Sequence, residues 1–281
     1  MRVARELRSL AAGPHPVALA IGVFDGVHIG HRAVLRAACD RARAVGGEAW
    51  ALTFEPHPLE VLRPESAPPA ILSLTGKLRR LAELGLDGCV VQPFTRRFAA
   101  LEPAQFVELI AGAFRRLVAI AVGDSWRFGR AAQGDVAALR QLVLPYGTDV
   151  LAVPPVTDGD RVVSSTMIRQ AIQSGDLALA ARWLGEWFSF DGVVVAGRAV
   201  GRRIGIPTAN LEPPPRRVRP PDGVYATWVH ARGRVHPAAG YIGTRPTLGT
   251  HGPTVIELHL LDADLALYGE RIEVDWVARI R

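Results

Sequence analysis

The sequence predicts two modules, an α/β domain on a parallel sheet followed by an all-β barrel or sandwich. Three observations predict this. From Val17 to about Val153, short apolar runs of strand length alternate with longer helical stretches. Those runs are apolar nearly throughout, as strands covered on both faces are. After Gly185 the text changes to β-like runs parted by Gly, Pro and Asp-Gly turns, the pattern of a small barrel or sandwich.

Taken in order, the expected strands of the first module are Val17–Ile21, Ala49–Phe54, Cys89–Gln92, Ala119–Val122 and Val150–Val153. Expected helices run over Arg32–Val45, Lys77–Leu84, Pro103–Ala113 and Val136–Tyr146. In such sheets ligands bind beyond the carboxyl ends of the strands. Three chemically distinctive loops follow strands directly: Gly22–His31, Glu55-Pro-His57-Pro58 and Gly123–Gly129. The second module has expected strands at Phe190–Ala196, Val224–Ala231, Ala238–Ile242, Thr254–Leu260 and Arg271–Val277, with a proline-rich connection from Pro213 to Pro221. The switch sets a boundary near Gly185–Ser189, dividing the chain into residues 1–186 and 187–281.

Composition narrows the class. A chain of 281 residues, 49% hydrophobic and 21% charged, has room for two cores of ordinary globular make-up. Its longest apolar runs fall far short of a membrane span, and Met1-Arg-Val-Ala-Arg-Glu lacks a signal-peptide core. Cys39 and Cys89 sit in apolar patterns without metal-like spacing, so two buried thiols in a reducing cytoplasm are expected. The net charge of +6 is carried almost wholly by arginine, Lys77 being the single lysine. Its spread along the chain, without interleaved aromatics, fits anionic small ligands rather than nucleic acid. The sequence sets no oligomeric state.

The stretch Ala20-Ile-Gly-Val-Phe-Asp-Gly-Val-His-Ile-Gly-His31 carries the sharpest chemistry. A strand ending in a Gly/His loop that opens a helix gathers unpaired N–H groups, a positive dipole end and two imidazoles around one volume, which suits phosphate oxygens. Further along come Leu52-Thr-Phe-Glu-Pro-His-Pro58, Pro93-Phe-Thr-Arg, Arg127-Phe-Gly129, Gly134-Asp135 and Ser164-Ser-Thr-Met-Ile-Arg169. The second module has Gly201-Arg-Arg-Ile-Gly-Ile-Pro-Thr-Ala-Asn210, Asp222-Gly-Val-Tyr225, Ile242-Gly-Thr-Arg-Pro-Thr247 and Glu257-Leu-His259.

In this order the motifs resemble the bifunctional riboflavin kinase/FAD synthetase family over almost the whole chain. The resemblance implies a Rossmann-like nucleotidyltransferase domain and a riboflavin-kinase-like barrel. It implies phosphorylation of riboflavin to FMN by ATP in the barrel, and adenylylation of FMN to FAD with release of pyrophosphate in the first module. ATP, riboflavin and FMN are the implied substrates and Mg2+ the implied cofactor, with no nucleic-acid or membrane partner.

The implied ATP site of adenylyl transfer comprises Gly22, Phe24, Asp25, His28, His31, Ser164, Ser165, Thr166 and Arg169. Adenylyl transfer needs positioning and electrostatic stabilisation rather than a covalent intermediate. His28 and His31, two donors at a helix start, suit that work, and either alone also reads as a capping histidine. Ser164–Thr166 read as an N-cap that also offers N–H groups to an anion, and Arg169 offers a fork of donors. Asp25 reads equally as a cap of the turn or as a group that orients magnesium. His57, Ser125, Trp126, Arg127 and Phe128 form the implied flavin contacts. The family usually has Asp or Asn followed by Phe where this chain has Ser125-Trp126, and a basic residue near Ala132. Ser125 is shorter, so a contact made there by a longer side chain is expected to be lost or water-mediated.

For the kinase the resemblance implies Gly201, Gly205, Pro207, Thr208 and Asn210 at ATP, with Thr208 and Asn210 on magnesium, an ion that favours hard oxygens. It makes Glu257 the base that takes the ribityl hydroxyl proton. Strand alternation places Glu257 and His259 on the face opposite Ile256, Leu258 and Leu260. The chain stops at Ala278-Arg-Ile-Arg281, where the family continues into a C-terminal helix, so an incomplete flavin pocket is expected in the barrel. Two alternatives stand beside this reading: a lone FAD synthetase with a vestigial barrel, and a non-catalytic flavin- or nucleotide-binding regulator.

Overall fold

The computed structural model describes residues 1–10, 13–196, 208–212, 215–247, 250–263 and 265–281. The chain forms two compact units: Met1–Pro68 with Lys77–Val163, and Pro69–Gly76 with Ser164–Arg281.

In the first unit the elements run β1 (Arg2–Ala4), β2 (Val17–Ile21), α1 (Ile29–Ala44), β3 (Glu48–Glu55), α2 (Pro58–Leu62), α3 (Leu74–Glu83, entering the unit at Lys77), β4 (Gly88–Pro93), α4 (Arg96–Ala99), α5 (Pro103–Ala113), β5 (Leu117–Gly123), α6 (Val136–Val143), β6 (Asp149–Val153), and a small ladder of β7 (Thr157–Asp158) with β8 (Arg161–Val162). The main sheet is parallel, in the order β1-β4-β3-β2-β5-β6. β2 is buried along its whole length, as a central strand covered on both faces must be. Its Leu19 and Ile21 pack in one cluster with Leu52, Phe54, Ile120 and Val122.

The helices begin and end where local chemistry directs. Asp135 caps α6 by accepting from Ala138 N at 2.8 Å. Glu102 and Gln105 form a reciprocal cap at the start of α5, with Pro103 in its first turn. Several boundaries differ from expectation, α3 for instance starting at Leu74 rather than Lys77, and two of them have a plain local cause. α1 starts at Ile29 rather than Arg32, because His28 caps it. The α-helix expected to reach Tyr146 stops at Val143, and Leu144–Tyr146 is a 3-10 turn, since Pro145 lacks the N–H that would continue the ladder.

The second unit contains α7 (Ser165–Ser174), α8 (Leu177–Leu184), β9 (Phe188–Val195), β10 (Ala209–Leu211), β11 (Gly223–Ala231), β12 (Arg234–Thr247), β13 (Thr250–Leu260) and β14 (Arg271–Arg279). Its six strands close an antiparallel barrel in the order β10-β13-β12-β11-β14-β9, β9 pairing back with β10. Of the two architectures expected, the chain has adopted the barrel. Inside it, Trp276 stacks on Phe190 at 5.1 Å and meets Tyr225 edge-on at 5.2 Å. β10 has no counterpart among the expected strands.

Candidate active sites

In the first sheet β2, β3 and β4 succeed one another in one direction, while β5 and β6 lie on the other side of β2. The strand order therefore reverses between β2 and β5, and such a switch point leaves a crevice at the carboxyl ends of the strands. The loop from Gly22 to His28 leaves β2 there. The segment holding His57 leaves the neighbouring β3, and that holding Ser125 and Trp126 leaves the neighbouring β5.

The β2 loop is tightly wound. Phe24 and Val27 hold positive φ of 51° and 43°, and Gly26 has φ 90°. For non-glycine residues such conformations cost about 1–3 kcal/mol each and persist only where the surroundings enforce them. Enforcement is visible. Phe24 and Val27 are fully buried, Arg32 Nε donates to Val27 O at 3.0 Å, and Lys77 Nζ donates to Val23 O at 2.9 Å. A Cβ on Gly22 would lie 2.8 Å from the Phe24 ring, so only glycine lets that ring fold back over the strand end.

His28 is the N-cap of α1, and its Nδ1 accepts from His31 N at 3.3 Å. A neutral ring accepting through Nδ1 carries its proton on Nε2. The two imidazoles stack with centroids 3.6 Å apart and planes 22° apart. Asp25 is buried in the same loop, at 4% exposure. The loop thus offers a helix N-terminus and two paired imidazoles, with a carboxylate and an ammonium below them.

Around it, His57 caps α2, its Nδ1 accepting from Leu59 N at 3.1 Å while its own N–H donates to Glu60 Oε1 at 3.3 Å. Trp126 is half-buried and stacks on Phe128 at 4.7 Å, so one face of the expected aromatic platform is already taken. Phe128 is a buried residue of the aromatic cluster that includes Phe106. Ser125 and Arg127 are exposed, and Arg127 pairs with Asp135 at 3.6 Å.

In the second unit Ser164 caps α7, accepting from Met167 N at 3.4 Å. Ser165 is half-buried and Thr166 exposed in the first turn. Arg169 is buried, and its Nε donates to Pro69 O at 2.8 Å. On the barrel, Asn210 lies directly opposite Glu257, and Glu257 directly opposite Tyr241. Cross-strand partners share a face, so these three side chains form a row on the outer surface. Ile256, Leu258 and Leu260 are buried and Glu257 and His259 are not, which is the alternation expected. Thr208 is half-buried just before β10. Gly201, Gly205 and Pro207 lie outside the described residues.

Comparison with known proteins decides the family. Residues 11–167 match the family model described as FAD synthetase, and residues 184–281 the one described as riboflavin kinase. The chain is 40% identical over 283 residues to the bifunctional riboflavin kinase/FMN adenylyltransferase of Escherichia coli (strain K12), covering 100% of this chain and 90% of that protein. It is 34% identical over 266 residues to the protein of that name from Bacillus subtilis (strain 168), covering 94% and 84%. The chain belongs to the bifunctional riboflavin kinase/FMN adenylyltransferase family.

A crystal structure described as a macrolide-efflux protein from Streptococcus pneumoniae superposes with a TM-score of 0.88 at 30% identity, over 99% of this chain and 90% of that one. Among the described residues of this family member, no helix is long and apolar enough to cross a membrane. The riboflavin-kinase match begins within α8, close to the helix-to-strand switch that the sequence marks near Gly185–Ser189. One residue near the β2 loop escaped the motifs. Lys77 is buried at 5% exposure against the loop, and its one signal in the sequence is that it is the single lysine.

Proposed function

We propose that this chain makes FAD from riboflavin in two steps that each consume ATP. Riboflavin is phosphorylated to FMN on the barrel, and FMN is adenylylated to FAD, with release of pyrophosphate, by the first module. We assign the adenylyltransferase to residues 1–186 and the kinase to residues 187–281. The observation that supports this best is that one chain holds two separate phosphate-type constellations. One is the helix-start pair His28 and His31 at a switch point, and the other is the strand-paired Asn210 and Glu257.

For the adenylyl step, donors aimed at the phosphates stabilise charge as it builds on the α-phosphoryl oxygens and the departing pyrophosphate. His28 and His31 fill this role together with the first N–H groups of α1. To ATP in this step we also assign Gly22, Phe24 and Asp25 and, on their sequence motif, Ser164, Ser165, Thr166 and Arg169. The flavin is assigned to His57, Ser125, Trp126, Arg127 and Phe128. Trp126 contributes through whatever ring surface its stack on Phe128 leaves open.

For the kinase step, Glu257 accepts the proton of the ribityl hydroxyl as that oxygen attacks the γ-phosphoryl group. Asn210, one strand over, lies within cross-strand reach of it. The donor set fits magnesium. Thr208 and Asn210 offer hard oxygens, and magnesium takes few protein ligands beside substrate phosphates. When bound, the ion neutralises charge on the transferring phosphates. Removing magnesium with EDTA is expected to stop both reactions, and product formation in excess EDTA would contradict this assignment. Both cysteines are free thiols, Cys89 buried but Cys39 only half-buried where burial was expected, and burial raises the pKa of each, that of Cys89 to about 12. Inert thiols of this kind support the reducing cytoplasm as the compartment.

The reading is tested on the purified chain by mixing riboflavin, or FMN, with magnesium-ATP and separating the flavins. FMN and FAD are expected from riboflavin, and FAD from FMN.

A further inference from the structure

Among its 33 basic residues the chain has one lysine, and that lysine is buried under the β2 loop. We propose that Lys77 is a positioning residue of the adenylyl-transfer site, holding the Gly22–His31 loop in the shape that receives ATP and offsetting the charge of Asp25. The inference rests on reading the first module as an adenylyltransferase.

The geometry is specific. Lys77 Nζ donates to Val23 O at 2.9 Å and to Thr53 Oγ1 at 3.3 Å, while Thr53 Oγ1 itself donates to Val23 O at 2.9 Å. The carbonyl that opens the wound loop is thus gripped by two donors, one from α3 and one from β3. The next residue is Phe24 at φ 51°, the first of the strained positions that end at the His28 cap. Strain of this kind survives only where neighbours over-determine it. Lys77 is the tie that reaches the loop from a helix 54 residues away in sequence.

The choice of cation follows from the space. A compact ammonium on a flexible stem can enter a buried corner and serve two oxygens, whereas a guanidinium brings a planar fork that needs a wide acceptor pair. Charge points the same way. Burial draws the pKa of Lys77 below the ordinary lysine value, and the nearby Asp25 and the more open Glu55 act against that pull. ATP brings several negative charges to the loop, and a buried Asp25 without its counter-charge would repel them.

Lys77→Met and Lys77→Arg in the full chain test this, with FAD formation from FMN measured at varied ATP and at varied FMN. FMN formation from riboflavin on the same preparations is the internal control. In Lys77→Met the KM for ATP is expected to rise about tenfold or more, with the KM for FMN and the kinase rate within about twofold of the parent chain. Lys77→Arg keeps a charge in the buried site and is expected to raise the KM for ATP by about threefold or more. A mere loss of folded protein lowers rates without moving one KM alone. An unchanged KM for ATP in either variant overturns the proposal. If the parent chain itself makes no FAD from FMN, the adenylyltransferase reading fails first and takes this inference with it.

Discussion

His28 accepts the backbone N–H of His31 through Nδ1 at 3.3 Å, and the two rings lie stacked 3.6 Å apart. One side chain therefore both ends the loop and starts the helix, and its capping bond fixes which nitrogen carries the proton. Of the two roles that read as alternatives in the sequence, the fold shows the cap, and that cap leaves room for the phosphate contact we propose for the same residue.

Substituting His28→Ala removes both roles. Loss of the cap costs about 1 kcal/mol of stability, and loss of an oriented donor is expected to lower FAD formation from FMN by about 10²–10³-fold. Riboflavin phosphorylation by the same preparation is expected to stay within about twofold. Equal loss of both activities would show that the two sites are not independent.

Glu257 sits opposite Asn210 on the outer face of the barrel. Glu257→Gln keeps the shape and removes the base, so FMN formation is expected to fall by about 10²–10⁴-fold. Flavin binding, followed by fluorescence quenching, is expected to persist. A variant that phosphorylates riboflavin at the parent rate would remove Glu257 from that role.

Trp276 is wholly buried between Phe190 and Tyr225. Trp276→Ala leaves a large void and is expected to cost about 3–5 kcal/mol. The loss is read as an earlier urea transition together with lost riboflavin phosphorylation. An unchanged transition would show that the barrel can close over the gap.

Asp191 ties elements of the second unit together, accepting from Ser73 Oγ at 2.9 Å and from Arg271 at 2.6 Å. Burial raises its pKa, but the Ser73 hydroxyl and the Arg271 and Arg217 guanidiniums outweigh this and hold it below the ordinary 3.8. A depressed folded pKa contributes stability that is complete above the unfolded value and is lost as pH falls through the folded one. Thermal melts taken downward from pH 3.8 are thus expected to drop more steeply for the parent chain than for Asp191→Asn. Parallel slopes would contradict the assignment.

The sheet strands were legible because a buried parallel strand needs an unbroken apolar run, as Val17–Ile21 shows. The β2 loop was legible because glycines and histidines crowd one short turn. The true start of α1 was not, since His28 and His31 each read as a cap, and the helix expected from Arg32 follows the second whereas the fold uses the first. β10 escaped because Thr208-Ala-Asn210 after a proline reads as a turn, and only pairing with β13 and β9 makes it a strand. The fork of donors on Arg169 is legible in the sequence, but the bond its Nε gives to the carbonyl of Pro69, 100 residues earlier, is not, since only the fold brings the two together. Lys77 shows the same limit, since its partners on the β2 loop and β3 are brought to it only by the fold.

The most direct test is to incubate the purified chain with magnesium-ATP and separate the flavins, starting from riboflavin in one reaction and FMN in another. FMN and FAD from riboflavin, and FAD from FMN, are the predicted results. FAD from FMN alone, with riboflavin left untouched, would contradict the two-step account and leave an adenylyltransferase beside an idle barrel. Bound flavin without product in either reaction would contradict it altogether.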